Sequence, residues 1–507
     1  MKLLRVVDHF LDRITMYRLL LYFLLALEAI AFGLSLAGVL HYRPEAIVLS
    51  ASLLTLVCVA SNELFAWAFK APANAESAYI TAAILALIIT PVISAEQILF
   101  FTAAGGLAMA SKYLLAIHKR HVFNPAAVAV TITALAGGQA ASWWVGSTAM
   151  LPYVVIGGLL VARKVRRFTM IFAFLAAVWA STILVNLAGG HDVLANLQKT
   201  ALHSSLFFLA FVMLTEPLTS PTTKGKQIWY GFIAGALFPP QLHIGSVYSA
   251  PELALLVANV FAFITGFKRR LTPQFLRKEQ IAPDLADFVF RQDKKVRYKA
   301  GQYMEWTLPH KKSDLRGVRR YFTLASSPTE DTLRIGVRFY PKGSSFKRAL
   351  DTLGAGTPIA AGNLGGDFIL PKNRAEKLAF IAGGIGITPY RSMIKYLLDT
   401  GEKRVVTLLY SEVSAGELAY TDVFDQAERE LDLKTVYTLT GPDPPAGWQG
   451  KTGFLNAAMI AAEVPDYRER TFYISGSHTM VVAMQDALRS LGVPRRRIKT
   501  DFFPGYA

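Results

Sequence analysis

Cysteine is all but missing from this chain: one residue, Cys58, in 507. A lone thiol inside an apolar run excludes an internal disulfide, a four-cysteine iron–sulfur centre and a CxxC redox pair. Charge is scarce as well, at 18% of residues, with 36 acidic side chains against 53 basic ones. The shortage is uneven. Up to Arg270 there are 19 Lys/Arg and 10 Asp/Glu. That is roughly a tenth of those positions, whereas about a quarter of the remainder is charged, as in an ordinary soluble domain. With 53% hydrophobic residues overall, the chain is neither wholly soluble nor disordered nor fibrous. The net charge of +17 forms no basic stripe interleaved with aromatics, which argues against a nucleic-acid partner.

What the first half has instead is apolar runs long enough for a bilayer, which takes about 20 residues per helix. They fall near 19–40, 46–69, 78–94, 98–117, 126–142, 151–162, 169–188, 202–218, 228–238 and 251–267. The N-terminus (MKLLRVVDHFLDRITMYR) runs straight into the first of them with no small-residue cleavage site, so it does not read as a removable signal peptide. Basic residues cluster at Lys70, Lys112/Lys119/Arg120, Arg163/Lys164/Arg166/Arg167, Lys224/Lys226 and Lys268/Arg269/Arg270, while the alternate loops hold only Arg43 and Lys199. That asymmetry predicts about ten spans of a multi-pass inner-membrane protein, with both termini and the soluble half cytoplasmic. Two inside loops share a character, HKRHVFNPAA (118–127) and TEPLTSPTTKGK (215–226), each with Pro and hydroxyl or amide groups beside positive charge. Broken segments at corresponding places in two halves point to a site between two pseudo-repeats. Simple capped helix ends account for them equally well. Intramembrane ionisable groups, here Glu28, Glu63 and His203, are further candidates for a proton or cation path.

From Thr272 onward short alternating runs (DFVFRQ, QYMEWTL, RYFTLAS, RIGVRFY, TPIAAGN) predict an antiparallel β-barrel, and from Lys377 strands alternate with helices, which predicts a parallel α/β sheet. The expected organisation is three domains: an all-α polytopic membrane domain at 1–270, a barrel at 271–373 and an α/β domain at 374–507.

The clearest local signal is KLAFIAGGIGITPYRSMIKYLL. An apolar strand ends in Gly383, Gly384 and Gly386, and Thr388-Pro389 opens a helix. Glycines let a pyrophosphate approach the backbone, and the helix N-terminus offers free N–H groups. Upstream, Arg320, Tyr321, Phe322 and Thr323 combine a phosphate-holding cation, stacking rings and a hydroxyl for a ring edge, as a flavin dinucleotide needs. Gly343-Ser344-Ser345 follows a strand and offers donors for the same pyrophosphate. Glu412, at the end of the next strand, is placed to accept from the adenosine ribose and so to favour NADH over NADPH.

These motifs, in this order, resemble the ferredoxin–NADP reductase family from Thr272 to Ala507: its R-x-[YF]-[ST] flavin motif at Arg320, Phe322 and Thr323, its G-x-S region at 343–345 and its GGxGITP nucleotide motif at 383–389. The family's C-G-P segment is matched by Ser475-Gly476-Ser477, with serine where a cysteine commonly sits by the nicotinamide, and its acidic and aromatic terminus by Asp501 to Tyr506. The resemblance implies bound FAD, NADH or NADPH as electron donor, Thr323, Ser475 and Asp501 as catalytic residues, and Gly476 and Tyr506 beside the cofactors. The first half resembles the membrane subunits NqrB and RnfD of Na⁺-translocating NADH:quinone oxidoreductase and the Rnf complex, through Asn124-Pro125 and Thr215-Glu216-Pro217. That implies a membrane flavin, FMN or riboflavin, near Asn124, Pro125, Thr215 and Glu216, and partner redox subunits. Family members carry FMN on a threonine in a long outside region; here that region is short and its nearest hydroxyl is Thr148, which leaves a non-covalent flavin as the alternative.

The resulting expectation is an oxidoreductase moving electrons from NAD(P)H through FAD into the membrane half, to a bound flavin, a quinone or an external acceptor, with or without ion coupling. Two rivals stay open. NADPH oxidases and ferric reductases share the layout but hold haem between histidine pairs on two helices; only His191 and His203 are so spaced, and no second pair repeats them. Alternatively the membrane half is a transporter-like anchor and the reductase serves a cytosolic acceptor. No metal site is expected.

Overall fold

The computed structural model describes residues 7–8, 10–11, 14–70, 75–91, 94–117, 120–267, 270–314, 317–341 and 343–501. The chain forms two compact units, Met1–Arg270 and Leu271–Ala507.

The first unit is helical. Its helices are α1 Met16–Leu36, α2 Pro44–Ala68, α3 Ala75–Ile88, α4 Ala95–Leu114, α5 Pro125–Gly137, α6 Leu151–Val165, α7 Phe168–Ala188, α8 Val193–Leu202, α9 Leu206–Phe208, α10 Lys224–Ala236 and α11 Pro251–Thr265. Each of the ten apolar runs falls on one of them, and α8 is an addition whose residues are all at least partly exposed. Starts are set by capping: Thr15, Ser94 and Asn124 accept from the backbone N–H groups of Arg18, Gln97 and Ala127, and proline occupies the first turn of α2, α5, α6 and α11. Among the described residues α1, α2 and α7 are long and apolar enough to cross a membrane by length and composition, while α3, α5 and α11 are shorter apolar helices. Helix α9 runs on as a π-helix, Leu209–Met213, directly before Thr215-Glu216-Pro217. Beside it the Gly157-Gly158 pair of α6 makes a notch. A Cβ on Gly158 would lie 2.4 Å from the Phe211 ring and one on Gly157 2.0 Å from the Phe23 ring.

The second unit begins with β1 Gln274–Ala282, β2 Leu285–Arg291, β3 Tyr303–Thr307, β4 Arg319–Thr323, β5 Thr332–Arg338, α12 Ser345–Asp351 and β6 Ala360–Gly365. These strands form two three-stranded antiparallel sheets, β6-β3-β4 and β1-β2-β5. Bridges Leu271–Ala361 and Gln274–Pro358 join one pair of edges, and the Ala325 N–H donates to Arg334 O at 2.8 Å across the other. The remainder is α/β: β7 Leu378–Gly383, α13 Thr388–Thr400, β8 Val406–Glu412, α14 Thr421–Glu430, β9 Leu433–Leu439, β10 Lys451–Thr452, α15 Ala457–Glu463, β11 Thr471–Ser475, α16 His478–Ser490 and β12 Ile498–Asp501. The sheet is wholly parallel, in the order β10-β9-β8-β7-β11-β12. Its central strands β7 (LAFIAG) and β11 (TFYIS) are nearly continuous apolar runs because helices cover both faces. The chain reverses direction across the sheet between β7 and β11, so the carboxyl ends of those two strands flank the crevice where such sheets bind ligands. Gly383 and Ser475 stand there, one on each side.

Candidate functional site

The glycine turn is shaped by close approach. Gly386 rests on the end of β11: a Cβ there would lie 2.3 Å from Ser475 O and 2.6 Å from Gly476 N. Gly384 has φ +59°, a conformation glycine adopts at little cost, and within 4 Å of its missing Cβ stands only Arg338 Nη1, at 3.3 Å, among the described residues. Thr388 starts α13 with its hydroxyl donating to Ile385 O at 3.1 Å, and Pro389 lies in the first turn. The turn thus presents backbone and a guanidinium to the crevice.

Register brings the three expected catalytic residues together. Ser475 pairs with Ala382 on one side and Asp501 on the other, and the Thr323 hydroxyl of β4 donates to Asp501 Oδ2 at 3.5 Å. Thr323 and Ser475 are buried. Helix α13 fixes this arrangement to the strands before it: Ser392 Oγ donates to Ser326 O at 2.6 Å and Arg391 Nη1 to Ala325 O at 2.9 Å. Tyr506 lies outside the described residues.

Arg320 is buried, with Nη1 donating to the carbonyls of Arg319 (2.6 Å) and Gly317 (3.2 Å) and its guanidinium 5.3 Å from the Phe346 ring centroid. Phe346 also packs against Phe322, at 5.9 Å between centroids. Tyr321 donates to Glu305 Oε2 at 2.6 Å. Ser344 caps α12, while the Ser345 N–H donates to Asp314 Oδ2 at 2.9 Å and its Oγ accepts from the Asp314 N–H. A buried guanidinium, two rings and hydroxyl-bearing backbone at the head of α12, with Thr323 three residues on from Arg320, are the donor chemistry of a flavin dinucleotide. The residues fit FAD.

Glu412 is the exception. Its side chain is only 2% exposed, and Arg338 holds it bidentately, Nη2 to Oε1 at 2.8 Å and Nη1 to Oε2 at 3.1 Å, while Tyr410 donates to Oε1 at 3.0 Å. Burial pushes its carboxyl above the usual range, against the pull of Arg338. Both of its oxygens are engaged inside the protein, in an ion pair with Arg338 and a hydrogen bond from Tyr410. Arg338 also faces Asp284, 3.3 Å from Nε, and Glu417, 3.7 Å from Nη1. Sequence reasoning missed Arg338; the second arginine of RIGVRFY, at the end of its strand, was the available signal.

In the helical unit the two loops paired by their sequence character meet. Asn124 Nδ2 donates to Glu216 Oε2 at 2.9 Å, and the Thr219 hydroxyl donates to the same oxygen at 3.1 Å. The Asn124 N–H donates to Asn259 Oδ1 at 2.9 Å, and Asn259 Nδ2 donates to the fully buried Tyr230 hydroxyl at 2.8 Å. Arg167 donates to Ser220 Oγ and Pro221 O. Pro125 opens α5, and the Thr215 hydroxyl turns back to Phe211 O at 2.7 Å. Asn259, Tyr230 and Arg167 were not foreseen. Of the other ionisable candidates, Glu63 is exposed, Glu28 half-buried, and His203 Nδ1 lies 2.9 Å from Thr148 Oγ1 at an exposed position.

Comparison with known proteins places both halves. Residues 380–486 match the family model described as oxidoreductase NAD-binding domain, and residues 140–268 match the NQR2, RnfD, RnfE family. Among curated proteins, the stachydrine N-demethylase reductase subunit Stc4 of Rhizobium meliloti is 28% identical over 233 residues, 45% of this chain and 65% of that protein. An NADH-cytochrome b5 reductase 1 of Ajellomyces capsulatus is 31% identical over 183 residues, 34% of this chain and 58% of that one. The chain thus spans less than two thirds of either relative. A solved structure, the cytochrome P450 reductase GcoB of Amycolatopsis, aligns at TM-score 0.41 with 28% identity, over 46% of this chain and 70% of that one. All these alignments cover less than half of the chain, whereas the NQR2, RnfD, RnfE match lies within the helical unit. One polypeptide thus carries a helical unit with a match to the NQR2, RnfD, RnfE family and a second unit with a match to the oxidoreductase NAD-binding domain.

Proposed function

We propose that the chain is a membrane-bound, FAD-dependent NAD(P)H oxidoreductase that delivers electrons to its own membrane domain, and from there to a bound flavin, a quinone or an external acceptor. The carrying observation is the convergence of Thr323, Ser475 and Asp501 at the switch point of a parallel sheet, beside a glycine turn. FAD, when bound, supplies the chemistry of taking up a hydride and releasing electrons singly. The protein's own residues do the rest. Arg320 and the head of α12 hold a pyrophosphate by charge-assisted hydrogen bonds. The Thr323 hydroxyl, donating to Asp501, keeps a proton and an acceptor next to Ser475, where a ring edge would be read. The backbone of 383–386 and Arg338 receive the phosphates of the nucleotide. In the membrane domain Asn124, Thr215 and Glu216 line the polar node that joins the two pseudo-repeats, the place for a non-covalent FMN or riboflavin. Ten spans with both termini cytoplasmic would put the reductase domain on the NADH side of the membrane.

Detergent-purified full-length protein should contain FAD and lose its absorbance near 450 nm on anaerobic addition of NADH or NADPH. In vesicles with the reductase domain inside, internal NADH should reduce an impermeant external acceptor. Protein without flavin, or flavin that neither nucleotide bleaches, refutes the oxidoreductase reading. Bleaching without transmembrane reduction refutes only delivery across the membrane and favours a cytosolic acceptor.

A further inference from the structure

We propose that Tyr420 and Asp287 form a catch between sheet β1-β2-β5 and the glycine turn, and that they act as positioning residues for hydride transfer without touching either cofactor. The inference rests on the oxidoreductase reading above and assigns that site the pair that sets its spacing.

Asp287 is the single charged residue of the buried stretch 285–290 in β2. Its Oδ2 accepts from Arg334 Nη1 at 2.8 Å, and its Oδ1 accepts from the Tyr420 hydroxyl at 2.5 Å. Tyr420 stands at the head of α14, 133 residues further on. Both side chains are buried, so neither has surface to offer a ligand. Burial pushes the Asp287 carboxyl above its usual range, against the pull of Tyr420 and Arg334. A carboxylate at that depth depends on every donor it has. The backbone at Tyr420 is constrained as well. Its φ is +60°, a left-handed conformation uncommon for a bulky residue, which persists only where neighbours over-determine it. Here the Ala419 N–H donates to the Tyr410 hydroxyl at 3.2 Å, and Tyr420 O accepts from the Val423 and Phe424 N–H groups. The bond to Asp287 fixes the remaining end.

Gly336 of β5, the register partner of Asp287, links this pair to the reaction. A Cβ there would lie 2.7 Å from Thr388 Cγ2, 2.8 Å from the Tyr420 hydroxyl and 3.3 Å from Asp287 Oδ1. The first residue after the glycine turn and the head of α14 thus rest on one bare position of β5. Two residues along the same strand, Arg338 reaches the open flank of Gly384. The surrounding core is apolar, with Leu285, Ile387 and Phe424 in one cluster, and apolar contact alone tolerates small slides. A buried hydrogen-bonded pair is satisfied in one arrangement only. Arg391, whose guanidinium lies 5.9 Å from the Tyr420 ring centroid, ties α13 to Ala325 O beside the same ring. Loss of the catch therefore frees Thr388 to shift on β5, and with it the nucleotide relative to the flavin residues. A misplacement of about 1 Å can cost roughly a hundredfold in rate.

The test uses the full-length, flavin-loaded protein and the variants Tyr420→Phe, Asp287→Asn and the two combined. Anaerobic stopped-flow reduction by NADH gives a limiting rate and an apparent Kd, and reoxidation by ferricyanide gives a rate that needs no nucleotide. Amide hydrogen exchange of the resting protein reads the catch without turnover. Tyr420→Phe should lower the limiting rate about tenfold while Kd moves less than about threefold and flavin content and ferricyanide rate hold. Exchange should quicken at 384–392 and 415–424 together. The combined variant should be no slower than the slower single one, because both remove one interaction. A pair that serves stability alone would lower the melting point and leave the limiting rate intact below it. A limiting rate within about twofold of wild type in both single variants therefore overturns the inference. So does flavin loss, or an equal fall in reduction and reoxidation. Should Asp287→Asn fail to fold, Tyr420→Phe decides. Wild-type flavin that NADH and NADPH leave oxidised defeats the oxidoreductase reading instead, and unchanged exchange at 384–392 in Tyr420→Phe would still overturn the catch.

Discussion

Replacing Gly386 by alanine probes whether the glycine turn really depends on contact with the end of β11. The added Cβ would lie 2.3 Å from Ser475 O, 2.4 Å from Ser475 C and 2.6 Å from Gly476 N. All three are backbone atoms, and β11 is paired to β7 on one side and β12 on the other, so they cannot rotate away as a side chain would. Relief requires roughly an ångström of separation between turn and strand, which places the cost near the top of the usual overpacking range, about 3 kcal/mol. For a domain of this size that corresponds to a melting point lowered by about 6–12 °C. Gly384→Ala is the control. There the obstacle is the left-handed backbone, worth about 1–2 kcal/mol, and the nearest atom is the tip of a flexible arginine. It should melt closer to wild type while still raising KM for the nucleotide. Thermal melts of the full-length protein, with flavin release marking the reductase transition, compare the two directly. A Gly386→Ala protein melting within 2 °C of wild type, or melting higher than Gly384→Ala, would refute the reasoning.

Other substitutions test other parts of the structure. Arg320→Ala removes the buried guanidinium over Phe346 and should weaken FAD binding about ten- to hundredfold, read as the flavin-to-protein absorbance ratio after dialysis; full retention would show the phosphate lies elsewhere. Asn259→Ala takes away the acceptor of the Asn124 N–H and the partner of the buried Tyr230 hydroxyl, at about 1–3 kcal/mol for each orphaned group, so the membrane domain should melt earlier in detergent; an unchanged melt would mean that these groups find other partners. At Glu279 burial raises the carboxyl pKa, but Arg334 and Arg277 outweigh it and hold it below the usual range. Its stabilisation is therefore present above the unfolded carboxylate pKa and lost as pH falls through the folded value. Glu279→Gln should flatten the acid side of the reductase domain's stability profile, and an acid arm identical to wild type would contradict the pairing.

The reductase half was legible where its chemistry is contiguous. Gly383, Gly384, Gly386, Thr388 and Pro389 form one strand–turn–helix unit, and both the strand end and the helix start are visible in the sequence. The meeting of Thr323 with Asp501 was legible only through resemblance, because 178 residues separate them. Glu412 shows what such reading leaves out. An acidic residue ending a strand looks solvent-facing in one dimension, and nothing local announces that Arg338, 74 residues earlier, will bury it.

The helical half inverts that pattern, since hydropathy located the helices but not what they do. Helix α3 has 14 residues, about 21 Å at 1.5 Å each, which falls short of a hydrocarbon core about 30 Å thick. A sliding average cannot tell such a helix from a spanning one, because both are apolar throughout. The structure shows how a short one can end inside protein. The Ser142 and Trp143 N–H groups donate to Ile88 O, and the Trp144 indole donates to Ala86 O, so the loop after α5 satisfies carbonyls that lipid could not. Asn124 works the same way at the head of α5, capping the helix with Oδ1 while its amide reaches Glu216. Its own backbone N–H is met by Asn259, 135 residues away in a mainly apolar helix. Polar residues at the ends of incomplete helices therefore answer one another across the helical unit. That reciprocity gives a half-chain with so few charges a buried polar node.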